Sequence, residues 1–223
     1  MQVAQDKALD GVAVDPAPRL GQINFVNSLP VVLPLMRGYA SVKGEITLES
    51  PAALNELYFV GRLDAGAMSS FFYLQHSDDL TLLPNVSIST SGAVGSVLFF
   101  FRSQPSGGKP YRLAVPSSSA TSVALLQLYL LETFGVSPLI HSLSEPDAMD
   151  ERFDGVLVIG DRALLEDDRW SSNFQRVDLG SWWLSTFSLP MVLGVWAART
   201  HWAQQFAGSF MAVCDAICRA RDI

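Results

Sequence analysis

The chain is poor in the side chains that most enzymes recruit. It has 2 cysteines and 3 histidines among 223 residues. Cys214 and Cys218 fall on one face of a helical pattern, which reads as buried reduced thiols and gives neither a disulfide framework nor a four-ligand zinc site. His76, His141 and His201 stand apart from one another, and each reads as a structural or surface residue. There is no GxSxG elbow for a nucleophilic serine and no GxxxxGK phosphate loop. Positive charge is short as well: 15 Lys and Arg against 22 Asp and Glu leave a net charge of -7. That balance excludes nucleic acid as a partner, because such binding needs a basic footprint. Most of the acid lies in residues 145–154 and 166–169, both of which read as solvated surface.

Long apolar runs are also missing, although 49% of the residues are hydrophobic. The longest suspect, "WWLSTFSLPMVLGVWAA" at residues 182–198, is broken by Pro190, Gly194 and hydroxyl residues. It falls short of the roughly 20 apolar residues that a spanning helix needs. It reads as a turn followed by a buried strand, and no membrane association is expected. The opening "MQVAQDKALDGVAVDPAPRL" has neither the apolar core nor the basic leader of a secretory signal. Residues 1–18 are expected to be a disordered tail, and the protein is expected to be cytoplasmic.

What is present is an alternation of short apolar strands with helical patterns, the signature of an α/β protein. "RLGQINF", "EITLES", "LDAGAMSS", "SVLFFF", "YRLAV", "DGVLVIGD" and "PMVLGVWAAR" read as strands. "PVVLPLMRG", "SPAALNELYFVGRL", "SSSATSVALLQLYLLETFG" and the final 22 residues before Ile223 read as helices. Ser50 and Pro51 form an N-cap and first helical position. The Pro/Gly-rich loop "QPSGGKP" at 104–110 is the strongest boundary signal. Two α/β units joined by "SVLFFF" and "PMVLGVWA" predict two lobes that close on a hinge, as in periplasmic binding proteins, with a ligand cleft between them. The expected division is 19–100 with 191–223 in one lobe and 101–190 in the other.

The candidate site is built from neutral polar residues where strands stop and helices start. Asn27 and Ser28 follow the first strand, Ser69 and Ser70 follow the third, and Ser96 precedes "VLFFF". The richest cluster, Ser117, Ser118, Ser119, Thr121 and Ser122, precedes a strongly apolar helix. One hydroxyl would cap a helix. Five exceed that need, and hydroxyls with free amides at the positive end of a helix dipole also suit an anion. Together these residues suggest a cleft of uncharged donors for a small organic acid. Asp161, in "VIGD", reads as an N-cap acid.

In their order and spacing, "GQINFVNSLPVV", "GRLDAGAMSSFFYL", "LLPNVSISTSGAVGSVLFF", "SSATSVALLQLYL", "VLVIGDRAL" and "LPMVLGVWAAR" resemble the chorismate dehydratases of the futalosine route to menaquinone. The resemblance covers residues 19–200. It implies a two-lobed periplasmic-binding-protein-like fold of type II and a hydro-lyase that removes water from chorismate. The product would be 3-[(1-carboxyvinyl)oxy]benzoate, made without metal or organic cofactor. Asn27 would be the catalytic amide. Ser96 and the Ser118, Ser119, Thr121, Ser122 segment would bind substrate, with Ser28, Ser69 and Ser70 beside them. The chain departs from the family in "WWLSTFSLPM", where Phe187 and Ser188 replace a Thr-Gly pair and Phe187 would crowd the pocket. It also ends earlier than the family pattern, where further helices would extend the first lobe. Two alternatives compete with this reading: a non-catalytic cytoplasmic binding protein for an aromatic or organic acid, and the paralogous dihydroxynaphthoate synthase, whose opening motif differs from "NFVNSLP".

Overall fold

The computed structural model describes residues 15–105, 110–171 and 173–223, with main chain alone at 167–169 and 171. Residues 1–14 of the expected tail, 106–109 of the Pro/Gly-rich loop and most of the acidic 166–169 run therefore lie outside the described residues.

Strand and helix alternate from the start. β1 (Arg19–Ile23) leads through a 3-10 turn (Val26–Ser28) into α1 (Leu29–Met36), where Pro30 sits in the first turn. β2 (Glu45–Glu49) is followed by α2 (Pro51–Phe59), whose Ser50 hydroxyl accepts the Ala53 amide at 3.3 Å. β3 (Ala65–Ser69) runs into α3 (Ser70–Gln75), and β4 (Leu80–Thr90) follows. After a crossing segment at 91–96 come β5 (Val97–Phe101), β6 (Arg112–Pro116), α4 (Thr121–Phe134) and β7 (Leu139–Leu143). Next are β8 (Gly155–Ile159), α5 (Gly160–Ser171), β9 (Gln175–Asp178) and α6 (Leu179–Phe187). β10 (Met191–Arg199), α7 (Thr200–Gln205) and α8 (Ala207–Asp222) close the chain.

These strands form two sheets with the same plan, in orders β2-β1-β3-β10-β4 and β7-β6-β8-β5-β9. In each, the first three strands are parallel and the last two pairings are antiparallel. Each sheet carries its own packed core, so the molecule has two lobes. β5 shows why the second sheet needs helices on both faces. Val97, Phe99 and Phe101 point to the core shared with α4, while Leu98 and Phe100 point to the core shared with α5. All five are buried, which is how a strand covered on both sides reads as an unbroken apolar run.

In the first lobe, Gly21 and Gly66 stand opposite each other across β1 and β3. A side chain on Gly66 would collide with the Gly21 carbonyl, and its φ of +134° independently disfavours one. The Tyr58 hydroxyl fills the space the two glycines leave. β4 bends at Pro84 and Asn85, where its register against β10 slips and Asn85 takes a φ of 63°. α8 covers that irregularity, with Cys218 and Arg221 against the Pro84 and Asn85 carbonyls.

Several expectations change. Val97–Phe101 is not a crossing strand; it pairs only with β8 and β9, and the chain crosses between Thr90 and Val97 and again between Phe187 and Met191. The loop at 104–110 joins two strands of one sheet. The stretch from residue 182 contains no bare turn: Leu179–Phe187 is a helix capped by Asp178 and followed by β10. The final helix is broken at Phe206 into α7 and α8. Among the described residues, no helix is long and apolar enough to cross a membrane.

Candidate active site

Parallel strands place their C-terminal ends at one edge of a sheet, and whatever follows them lines that edge. Here the edges of both lobes face each other. The cavity between them is lined by Phe25 and Asn27 after β1, Pro51 at the start of α2, and Ser69 at the end of β3. The second lobe contributes Ser96, Ser119, Thr121, Ser122 and Gly160. Ile23, Ile88, Val97, Ile159 and Leu193 supply the apolar remainder, and among the described residues no charged one lines the cavity. The N-termini of α2, α4 and α5 all meet this space. Their dipoles and end amides make it attractive to anions without a single Lys or Arg.

Each hydroxyl does a different job. Ser69 Oγ accepts from Asn55 Nδ2 at 3.0 Å and from the Phe72 amide at 3.1 Å, so its own proton remains available to a ligand. Ser119 Oγ accepts the Ser122 amide at 3.2 Å and caps the first turn of α4. Thr121 Oγ1 accepts the Phe71 amide at 3.1 Å. Ser96 and Ser122 are both buried beside the cavity. Asn27 differs from all of these: it stands exposed on the 3-10 turn, and its side-chain amide has no partner among the described residues.

Three of the expected residues sit elsewhere. Ser28 is buried, and its hydroxyl donates to the Ile23 and Phe25 carbonyls, so it ties down the turn that carries Asn27. Ser70 donates to the Val192 carbonyl at 2.7 Å and does not line the cavity. Ser118 meets the first lobe through its main-chain carbonyl, which accepts the Ala52 amide at 3.2 Å. Phe187 does not crowd the cavity: it packs against Trp182 and Trp183 with ring centroids 5.7 and 4.6 Å away. Ser188 occupies the left-handed position that ends α6, at φ 56°.

Asp161 does not cap its own helix. Its Oδ1 accepts the amide of Val26, in the other lobe, at 3.0 Å. With the Ala52–Ser118 and Phe71–Thr121 bonds, this makes three hydrogen bonds in which a first-lobe amide reaches a second-lobe oxygen. The lobes are closed. The cavity they leave is 50 Å³, well below the roughly 300–1,000 Å³ of ordinary small-molecule sites. A small organic molecule of ordinary size fits only when the lobes part. Sequence reasoning took Asp161 for an N-cap acid rather than a partner of Val26, and it passed over Asn55 and Phe25; of these two, only Phe25, two residues before Asn27 in the opening motif, carried a local signal.

Comparison with known proteins agrees with this geometry. Residues 18–223 match a family described as menaquinone biosynthesis. The chorismate dehydratase of Thermus thermophilus is 38% identical over 165 residues, which cover 67% of this chain and 59% of that protein. The chain thus spans less than two thirds of the length of that relative. Among solved structures, a protein of Archaeoglobus fulgidus matches with a TM-score of 0.64 at 19% identity, covering 92% of this chain and 80% of that one. The periplasmic aliphatic sulphonate-binding protein of Escherichia coli matches with a TM-score of 0.57 at 16% identity, covering 92% and 72%. These two likenesses show the fold alone, a two-lobed periplasmic-binding-protein-like architecture.

Proposed function

The chain belongs to the menaquinone-biosynthesis family, and from that premise we propose that it is a chorismate dehydratase working on the futalosine route. The observation that carries this reading is Asn27. It is an unpartnered amide in a neutral cleft at the meeting point of three helix N-termini.

Chorismate is a dianion with a cyclohexadiene ring. Loss of the ring proton beside the enol ether and of the neighbouring hydroxyl makes the ring aromatic, which supplies the driving force. The protein then has to hold the two carboxylates, orient the ring and help one proton move. Ser69, Ser96, Ser119 and Ser122 with the amides of α4 and α5 suit the carboxylates, and Phe25, Ile88 and Leu193 suit the ring. Among the described residues, no carboxylate or imidazole lines the cavity to act as base. The substrate's own enolpyruvyl carboxylate takes the ring proton in this reading. The C–O bond to the hydroxyl breaks, and the departing oxygen leaves as water with one proton gained. Asn27 fixes the geometry by donating to the leaving oxygen or the accepting carboxylate.

The test is incubation of the purified protein with chorismate, followed by absorbance and mass analysis, with Asn27→Ala alongside. Wild type should form an aromatic product about 18 mass units lighter, and Asn27→Ala should retain its fold and lose turnover. Binding without turnover by wild type would instead favour a non-catalytic binder of organic acids.

A further inference from the structure

The turn that carries Asn27 is held from two sides, and the two sides belong to different lobes. On its own side, Ser28 donates to the Ile23 and Phe25 carbonyls, and the Ser28 amide returns to Phe25 O at 3.0 Å. That anchors the end of the turn. Its beginning has no such support, because Phe25, the residue before the turn, offers no side-chain cap. The Val26 amide is thus one of the donors that a helical turn leaves without an internal partner.

That donor is taken up across the cleft by Asp161 Oδ1 at 3.0 Å, from 135 residues away in sequence. Gly160 makes the reach possible. It has a φ of +61°, a left-handed conformation that favours glycine, and the Phe25 ring lies over it, within 3.4 Å of where a Cβ would stand. The next residue, Asp161, then meets Val26. The Gly160 amide is itself fixed by the Ser96 carbonyl at 2.8 Å.

We infer that Asp161 is a positioning residue: by taking the Val26 amide as the lobes close, it fixes the turn that aims Asn27. In the open protein that amide faces water and the turn is held only by Ser28. Closure over a ligand then does two things at once, shutting the cleft and completing the arrangement of the amide that acts in it. This rests on the dehydratase reading above. Asp161 touches no reacting atom; it works through Val26 on Asn27.

The experiment compares wild type, Asp161→Ala and Asp161→Asn in steady-state turnover of chorismate. It also follows the Val26 amide resonance while 3-[(1-carboxyvinyl)oxy]benzoate is added. A charge-assisted hydrogen bond of this kind should be worth roughly ten- to a hundredfold in rate, so Asp161→Ala should lower kcat by that factor. KM should change by less than about threefold, since the groups holding the carboxylates remain. Asp161→Asn keeps an acceptor oxygen at the same place and should recover to within about fivefold of wild type. The Val26 amide should move downfield on ligand addition in wild type and stay still in Asp161→Ala. A residue that only supported the fold would change the melting temperature and leave both the kcat/KM split and that resonance alone. If wild type turns over chorismate and Asp161→Ala matches it within about twofold, or if Asn fails to rescue, the positioning role is wrong. If wild type itself does not turn over chorismate, the dehydratase reading falls first and the inference with it.

Discussion

Asp178 is where stability and site geometry can be tested together. It is 7% exposed, ends β9, and caps α6 through the Ser181 amide at 3.0 Å. The same carboxylate accepts the Val94 amide at 3.1 Å and the Gly95 amide at 2.8 Å. Those amides belong to the segment that carries the chain from one sheet to the other, and Ser96 of the cavity follows directly. Asp178→Ala removes a helix cap worth about 1 kcal/mol. It also strands two amides whose bonds to a charged acceptor are worth about 1.5–3 kcal/mol each. Part of this is offset because a buried carboxylate no longer has to be desolvated. The net loss should be about 3 kcal/mol, or a fall in Tm of roughly 6–12 °C for a chain of this size. Urea unfolding followed by tryptophan fluorescence, to which Trp182 and Trp183 on α6 contribute with three other tryptophans, reads it. Asp178→Asn, which keeps one acceptor oxygen, should lose about half as much. Because Ser96 is carried by the released segment, turnover should fall in the folded Asp178→Ala protein as well. A loss below about 0.5 kcal/mol would mean that water replaces the carboxylate and that the segment is held by something else.

Ser188→Gly should raise stability by about 0.5–1 kcal/mol, because an L side chain at φ 56° costs more than the extra freedom glycine has when unfolded. A rise in Tm of roughly 2 °C would agree, and no rise would remove the strain argument. Burial pushes the phenols of Tyr58 and Tyr111 above their usual range. Their folded pKa lies above the unfolded one, so the stability they contribute is complete below about pH 10 and declines as pH rises past it. Denaturation midpoints at pH 9 and 11 would show the decline, and Tyr58→Phe should flatten it; an unchanged slope would point to other groups. Burial pushes the Cys214 thiol up to about 11, whereas Cys218 is half-exposed near the surface of α8. At pH 8 iodoacetamide should therefore modify Cys218 and spare Cys214 until the protein unfolds; equal rates at both would refute the assignment of burial.

Much of the fold was legible because local chemistry and tertiary need agree. Ser50-Pro51 had to start a helix, and "VLFFF" had to be covered on both faces. "WWLSTF" was misread because its apolar residues fit a turn before a strand as well as a helix, and the deciding contact is the Asp178 cap. β7 escaped notice since "LIHSL" is only half covered and alternates poorly. β5 was placed between the lobes because strand pairing is non-local, and nothing in "SVLFFF" names β8 and β9 as partners. The site followed the same division. Hydroxyls at strand ends meet at one edge for topological reasons, so Asn27, Ser69, Ser96, Ser119, Thr121 and Ser122 could be gathered in advance. Whether a given hydroxyl faces the cleft is a matter of rotamer and of neighbours far off in sequence. Ser28 and Ser70 look no different from Ser69 on paper, yet both spend their protons on main-chain carbonyls.

The order of strands in the first sheet also governs how the protein is made. β10 lies between β3 and β4, but the second sheet is encoded entirely between β4 and β10. Thr90 and Arg199 are 109 positions apart, and at about 5–20 residues per second a ribosome needs roughly 5–20 seconds to cover them. For that interval β3 keeps an unpaired edge and β4, which pairs in the sheet with β10 alone, is left without a strand partner, while the second lobe, contiguous in the message, can already fold. The later-born strand then pairs with β3 and brings β4 into the sheet on its other edge. A translational pause or a chaperone that shields β3 and β4 would act at this stage. Destabilising changes in the second lobe would delay the first lobe's completion even where the two never touch.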